Sequence, residues 1–405
     1  MVEEAARAYF QKKDVSPGPL GDPSIGDTFV YSVDRLSAPQ WARQAVIYQI
    51  FVDRFHPDRG RNWLQTSDLK GFFGGTLWGV LEKLDYIVDL GATCIWLSPV
   101  FPSPTPHGYD ATDYENIEPR LGGNTAFREL ISAAHALGLK VILDLVCNHL
   151  SSEHPIFQEA LSNPKCRFRN WFSFDDPHYG YRCYFGVRSM PKINLTNPEA
   201  KNWMIENALF WLREFDVDGF RLDHANGPGP GFWTDFWRTC KKEKSEVFCF
   251  GEIVEPPPSI LCYVGRMDGG LDFHLAEAIR KTYAYRSWDE GQFCQFLDQH
   301  ETYFPKDFLM LSFLDNHDMD RFLFISENDR SRLIQAASTQ MRLPGPPIIY
   351  YGTEVGLSQT TSKTSQVGLE ASRMPMLWDK DQDKELLEFY KAAIRERFEK
   401  KPWIR

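Results

Sequence analysis

Paired cysteines, long apolar runs and an excess of positive charge are all missing from this chain. Its eight cysteines show no close paired spacing, so neither a zinc-type site nor a disulfide framework is indicated. Cys94, Cys147 and Cys249 instead lie inside apolar, strand-like runs, where a reduced core thiol is the ordinary state. No stretch of eighteen apolar residues occurs, which argues against a spanning helix and a membrane partner. The opening Met1-Val-Glu-Glu-Ala-Ala-Arg-Ala-Tyr-Phe10 has no apolar segment of the secretory type, so no signal peptide is expected there. Together these features predict a cytoplasmic location. The net charge of −10 disfavours nucleic acid or an anionic surface as partner and suits a neutral substrate. No Gly-x-Gly-x-x-Gly follows the first strand-like run, which removes the main signal for a dinucleotide site. Nor does any internal repeat stand out.

What is present is a large apolar fraction, 43% of 405 residues, arranged as eight strand-like runs with helical periodicity between them. The runs are Ala45–Val52, Thr93–Leu97, Val141–Val146, one ending at Asp223, one ending near Glu252, Leu271–Phe273, one running to Asp315, and Pro347–Tyr351. Near-continuous apolar strands alternating with helices predict an α/β fold, a (β/α)8 barrel. Helices are expected over Leu77–Leu90, from an Asn124 cap to Gly138, from Asn197-Pro198 onward, and over Glu385–Phe398. Residues 150–196 hold many aromatics and no long period, so they read as a short subdomain inserted after the third strand. The expected organisation is an N-terminal arm over 1–40, a barrel over 41–149 and 197–405, and the insert over 150–196.

Several strands carry an acid or histidine just past their apolar run, where a barrel builds its site. Arg221 and Asp223 are two apart on one strand and point the same way, so the guanidinium is expected to keep the carboxylate ionised. Glu252 follows Phe250-Gly251, where apolar walls and other acids would raise its pKa and let it donate a proton near neutrality. Asn316-His317-Asp318 adds a third acid able to steady positive charge at a sugar carbon. Asp144, Asn148 and His149 end the third strand, and Tyr109, in His107-Gly-Tyr-Asp110, could stack on a sugar ring. Each signal alone has an ordinary structural explanation; their joint placement at four ordered strand ends points to glycoside chemistry. The 14% aromatic content, with 12 Trp, suits pyranose faces.

Read together, Asp53-Arg-Phe55, Gly74-Gly-Thr-Leu77, His107-Gly-Tyr-Asp-Ala-Thr-Asp-Tyr114, Asp144-Leu-Val-Cys-Asn-His149, Gly219-Phe-Arg-Leu-Asp223, Gly251-Glu252, Phe313-Leu-Asp-Asn-His-Asp318 and Pro347-Ile-Ile-Tyr-Tyr-Gly-Thr-Glu354 make the chain resemble the α-amylase family of glycoside hydrolases. Met190-Pro-Lys-Ile-Asn194 is similar to the neopullulanase and cyclomaltodextrinase branch. The resemblance implies Asp223 as nucleophile, Glu252 as general acid/base and Asp318 as transition-state stabiliser. Tyr109, His149, Arg221 and His317 would hold the sugar, with Asp110 and His224 near the same site. It implies a retaining cleavage of α-1,4 bonds in maltooligosaccharides or other short α-glucans, with the two principal carboxyls about 5–5.5 Å apart. The alternatives are glucanotransfer on the same substrates and a non-catalytic carbohydrate-binding scaffold. No cofactor is required for the chemistry, and a structural calcium ion with Asn148 as ligand is compatible with the resemblance. The family's C-terminal β-sandwich is expected to be absent, and a monomer or weak homodimer is expected. Two stretches depart from the branch: His224-Ala-Asn-Gly-Pro-Gly after the nucleophile and Ile253-Val-Glu after the acid.

Overall fold

The computed structural model describes residues 37–58, 60–66 and 68–404, so the expected arm over 1–40 falls outside the described residues except for its last four. Ten strands are described: β1 (Ile47–Ile50), β2 (Cys94–Leu97), β3 (Lys140–Leu145), β4 (Cys183–Tyr184), β5 (Val187–Pro191), β6 (Gly219–Leu222), β7 (Phe248–Gly251), β8 (Gly269–Leu271), β9 (Leu309–Phe313) and β10 (Pro347–Tyr350). Eight of them close into a parallel barrel in the order β1-β2-β3-β6-β7-β8-β9-β10, with β10 pairing back on β1. β4 and β5 form a separate antiparallel hairpin within 150–196, where the helix Pro155–Ser162 also lies.

Alternation along the strands separates two cores. Ile47, Cys94, Trp96, Ile142, Phe248, Phe250, Leu309, Leu311, Phe313 and Ile348 fill the barrel interior. The intervening Tyr48, Ile95, Val141, Leu143 and Cys249 pack outward beneath the helices. Stepping two residues up the inward face of β1, β3 and β6 changes the side chain from Ile47 to Gln49, Ile142 to Asp144 and Gly219 to Arg221. The interior is therefore apolar at the floor and charged towards the carboxyl ends.

Three local expectations are corrected. The helix over Leu77–Leu90 is two helices, Leu77–Glu82 and Leu84–Leu90, broken at Lys83. The first packs on the helix Gly123–Ala136 and the second on Lys384–Lys400, so one straight rod would not serve both neighbours. Asn124 does not cap its helix: Gly122, at φ 113°, leads out of the 3-10 turn Pro119–Leu121, and Asn124 Oδ1 accepts the Ile117 N–H instead. The sixth barrel strand is Gly269–Leu271, two residues early, and Asp272 leaves the sheet to cap Phe273–Ile279. Two glycines disguise that strand, but they are needed: a Cβ at Gly269 would lie 2.2 Å from Leu309 O on the neighbouring strand.

The cap at Asn197 is present as expected. Its Oδ1 accepts the N–H groups of Glu199 (2.9 Å) and Ala200 (3.2 Å) at the start of Pro198–Phe215. Asn197→Ala is expected to lower unfolding free energy by about 1 kcal/mol, measured by denaturant titration, with the site chemistry unchanged.

Candidate active site

Arg221 organises the barrel mouth. It points inward from β6 and is fully buried. Its Nη1 donates to Asp144 Oδ1 at 2.8 Å and Asp223 Oδ1 at 2.8 Å, and its Nη2 forms an ion pair with Glu252 Oε2 at 2.7 Å. Asp223 and Glu252 are the first residues beyond β6 and β7, strands that pair in register (Leu222↔Gly251). Two acids 29 residues apart in sequence thus meet at the fork of one guanidinium. The neighbouring His224 N–H donates to Glu252 Oε2 at 3.1 Å.

His317 connects this group to the third acid. Its Nε2 lies 2.5 Å from the Tyr109 hydroxyl and 3.1 Å from Asp318 Oδ2, while its Nδ1 lies 2.7 Å from Gln49 Nε2. A carboxylate only accepts, so the ring hydrogen is assigned to Nε2, and Nδ1 accepts from Gln49. The Tyr109 hydroxyl in turn donates to Asp144 Oδ2 at 3.0 Å, and its ring stacks on His317 with centroids 5.3 Å apart. Asp318 Oδ1 accepts from Arg373 Nη2 at 2.8 Å.

So many acids around so few cations cannot all ionise together. Burial pushes Asp223 up to about 7, the charges of Asp144 and Asp318 add to this, and Arg221 opposes it. Arg221 lowers Asp223 as expected, but desolvation outweighs that pull. Burial also raises Glu252, with Asp223 and Asp318 adding and Arg221 opposing. Burial lifts Asp144 to about 6 in the same way, again against Arg221. Asp318 goes the other way: burial would raise it, but His317, Arg373 and Arg221 together hold it well below the usual carboxylate range. Protonation is thus favoured on the acids around Arg221 and disfavoured on Asp318.

Aromatic groups form one rim. His149 stacks on Tyr184 of the hairpin (centroids 4.6 Å), its Nε2 has no protein partner, and burial lowers it to about 3. His224 sits at φ 40° with its ring edge-on to Tyr184 (4.9 Å) and Phe185 (5.2 Å). Phe185, at the hairpin tip, is 79% exposed. Asp110 lies in the loop after β2, its Oδ1 3.8 Å from His107 Nδ1. It accepts from Ser103 Oγ (2.7 Å) and Thr105 Oγ1 (2.5 Å), organising the loop after β2, because these hydroxyls are the nearest donors in its own turn.

The side chains around Asn148 do not fit a calcium ion. Its Oδ1 is buried without a partner, and a Cβ on Gly227 would stand 2.1 Å from it. Among the described residues no three acids, histidines or cysteines come together to hold a metal. The insert acids are engaged elsewhere, Asp175 by Arg182 and Asp176 by the His178 and Tyr179 N–H groups. Among the described residues no such cluster supplies the negative oxygens that would balance calcium beside Asn148.

Sequence reasoning missed Gln49, Trp96 and Arg373. Gln49 left a readable signal, being a lone polar residue in the apolar run Ile47–Ile50. Trp96 reads as core, and it is core, yet its Nε1 also donates to Asp144 Oδ2 at 3.2 Å. Arg373 carries no local signal at all.

Residues 49–392 match the family model described as the α-amylase catalytic domain. Alpha-amylase 2 of Dictyoglomus thermophilum is 42% identical over 367 residues, covering 90% of this chain and 65% of that protein. The intracellular maltogenic amylase of Bacillus subtilis is 33% identical over 381 residues, covering 90% and 63%. A solved cyclomaltodextrinase superposes with a TM-score of 0.83 at 30% identity, covering 91% of this chain and 65% of that one. The chain thus spans somewhat less than two thirds of the length of these relatives.

Proposed function

The chain belongs to the α-amylase family, and from that premise we propose that it is a retaining glycoside hydrolase cleaving α-1,4-glucosidic bonds in maltooligosaccharides and related short α-glucans. One observation carries the reading: Asp223 and Glu252 both contact the guanidinium of Arg221, at the carboxyl ends of neighbouring strands. That arrangement supports the short carboxyl separation that double displacement needs. A purely scaffolding barrel has no use for buried acids left short of counter-charge, since each such group costs stability.

In the proposed reaction a proton rests on Glu252. Its Oε2 is held by Arg221 and the His224 N–H, which leaves Oε1 to deliver the proton to the glycosidic oxygen. Asp223, ionised in that state, attacks the anomeric carbon, and the C–O bond to the leaving sugar breaks as the ester forms. Glu252, now a carboxylate, takes a proton from water, whose oxygen displaces Asp223 and restores both groups. Asp318 and the His317–Tyr109 pair border the ring, the former supplying negative charge to the oxocarbenium-like carbon. Residues 150–196 act as the inserted subdomain, placing Tyr184 and Phe185 on the leaving-group side. The relative named as intracellular and the unpaired cysteines among the described residues support a cytoplasmic setting.

The test is to incubate the protein with maltotriose and with a cyclodextrin, following products by chromatography and the new anomeric centre by proton NMR. Shorter α-anomeric products are expected. Products longer than maltotriose would favour glucanotransfer, and initial β-anomers would reject the retaining assignment.

A further inference from the structure

We infer that Arg373, itself clamped by Glu370, is a positioning residue that fixes the Asp318 carboxylate at the cleft floor in its charged form. The inference rests on the reading of Asp318 given above. Arg373 lies 55 residues beyond Asp318, on the segment following β10, and its side chain is 4% exposed whereas that of Asp318 is 34% exposed. All three of its nitrogens are bonded within the protein: Nη2 to Asp318 Oδ1 at 2.8 Å, Nε to His317 O at 2.8 Å, and Nη1 to Glu370 Oε1 at 2.7 Å. It grips both the carboxylate and the backbone that carries it.

The clamp continues behind the cleft. Glu370 Oε2 lies 3.4 Å from Arg54 Nη2, Arg54 Nη1 donates to Arg373 O at 2.7 Å, and Arg54 Nε donates to Asp53 Oδ2 at 2.8 Å. Asp53 then accepts the N–H groups of Phe73 and Gly74. Charges alternate from Asp318 through Arg373, Glu370 and Arg54 to Asp53, and only the first opens to the cleft. A buried ionic chain adds little stability over apolar packing but loses much when one member is removed. Its value here is to hold one end in place.

The chain also divides the acids into two groups. Arg221 serves Asp144, Asp223 and Glu252 together, whereas Asp318 is paired with a different guanidinium, Arg373, which it shares with Glu370. The groups facing Asp318 are His317 on its own loop, Arg221 and Asp223 at β6, Glu252 after β7, His107 and Tyr109 after β2, Tyr184 on the hairpin, Arg373, and Lys363, whose Nζ donates to Asp318 O at 2.7 Å. Without Arg373, Asp318 would compete for the cluster's proton. It would then be uncharged when the sugar carbon becomes positive.

The experiment compares kcat and KM on a maltooligosaccharide for wild type, Arg373→Met, Arg373→Lys and Glu370→Gln, with thermal melts alongside. For Arg373→Met, kcat is expected to fall tenfold or more (about 10–100-fold) with KM little changed. Arg373→Lys, which keeps a cation in place, should recover part of kcat, whereas a merely structural role would lower the melting temperature without separating kcat from KM. A folded Arg373→Met protein with kcat intact, whether or not KM is raised, overturns the inference. If Arg373→Met does not fold, Glu370→Gln decides on the same split between kcat and KM, with a smaller loss of kcat expected and an unchanged kcat counting against it. Asp318→Asn, run in parallel, separates the two readings: full turnover there rejects the role of Asp318 itself, whereas an inactive Asp318→Asn with a normal Arg373→Met rejects only the clamp.

Discussion

Asp223→Asn is expected to cut turnover on maltooligosaccharides by several orders of magnitude while leaving the barrel folded. The amide keeps the shape and can still accept from Arg221 Nη1, so the network around Asp144 survives. What is lost is the charged oxygen that forms the glycosyl ester, and no other acid can replace it, because Glu252 lies on the far Nη2 of the same guanidinium. Stability should change in the opposite sense to activity. Folding raises Asp223 from an ordinary value near 4 to about 7, so the folded state binds more protons across that window. Its relative stabilisation is complete below the unfolded pKa and disappears as pH rises through about 7. At pH 8 wild type therefore carries an ionised, desolvated carboxylate that the variant lacks, and the variant should melt at an equal or higher temperature. Near-normal turnover would falsify the nucleophile assignment. A sharp fall in melting temperature at pH 8 would show that Asp223 is needed for the fold.

Glu252→Gln should be nearly as severe on natural bonds and much milder where protonation is unnecessary. A general acid typically contributes about 10²–10⁴-fold. Turnover of maltotriose should fall by about that factor, while formation of the glycosyl-enzyme from an α-maltosyl fluoride, whose leaving group departs without a proton, should persist. Because that intermediate also needs Glu252 to activate water, it should accumulate and be released faster by added azide. Equal losses on both substrates would assign Glu252 to binding and not to proton transfer. In wild type, the raised pKa of Glu252 predicts that activity persists towards neutral pH and falls as pH climbs past that value, when the proton is no longer there to give. A rate still rising through the alkaline range would contradict this.

The barrel was legible because apolar runs of four to six residues ending in Asp223, Glu252 or the Asn316-His317-Asp318 stretch admit few other architectures. The weaker readings were local and had local causes. The break at Lys83 arises because one amphipathic stretch must pack on two helices. The strand Gly269–Leu271 was displaced because Gly269 and Gly270 show no β-propensity, their value lying in close strand approach. Asp110 carries a second task that its motif does not reveal, since hydroxyls in its own turn bond its Oδ1.

The sequence alone determined which groups stand at the barrel mouth, because period-two alternation fixes the inward face of each strand and register fixes its height. Only the tertiary structure decided what those groups are chemically. One guanidinium serves three acids from β3, β6 and β7, and burial drives two of them up to about 6 and about 7. His317 and a second guanidinium, from beyond β10, hold Asp318 down. Charge state follows from distance and desolvation among residues tens to hundreds of positions apart, and no linear pattern encodes either quantity.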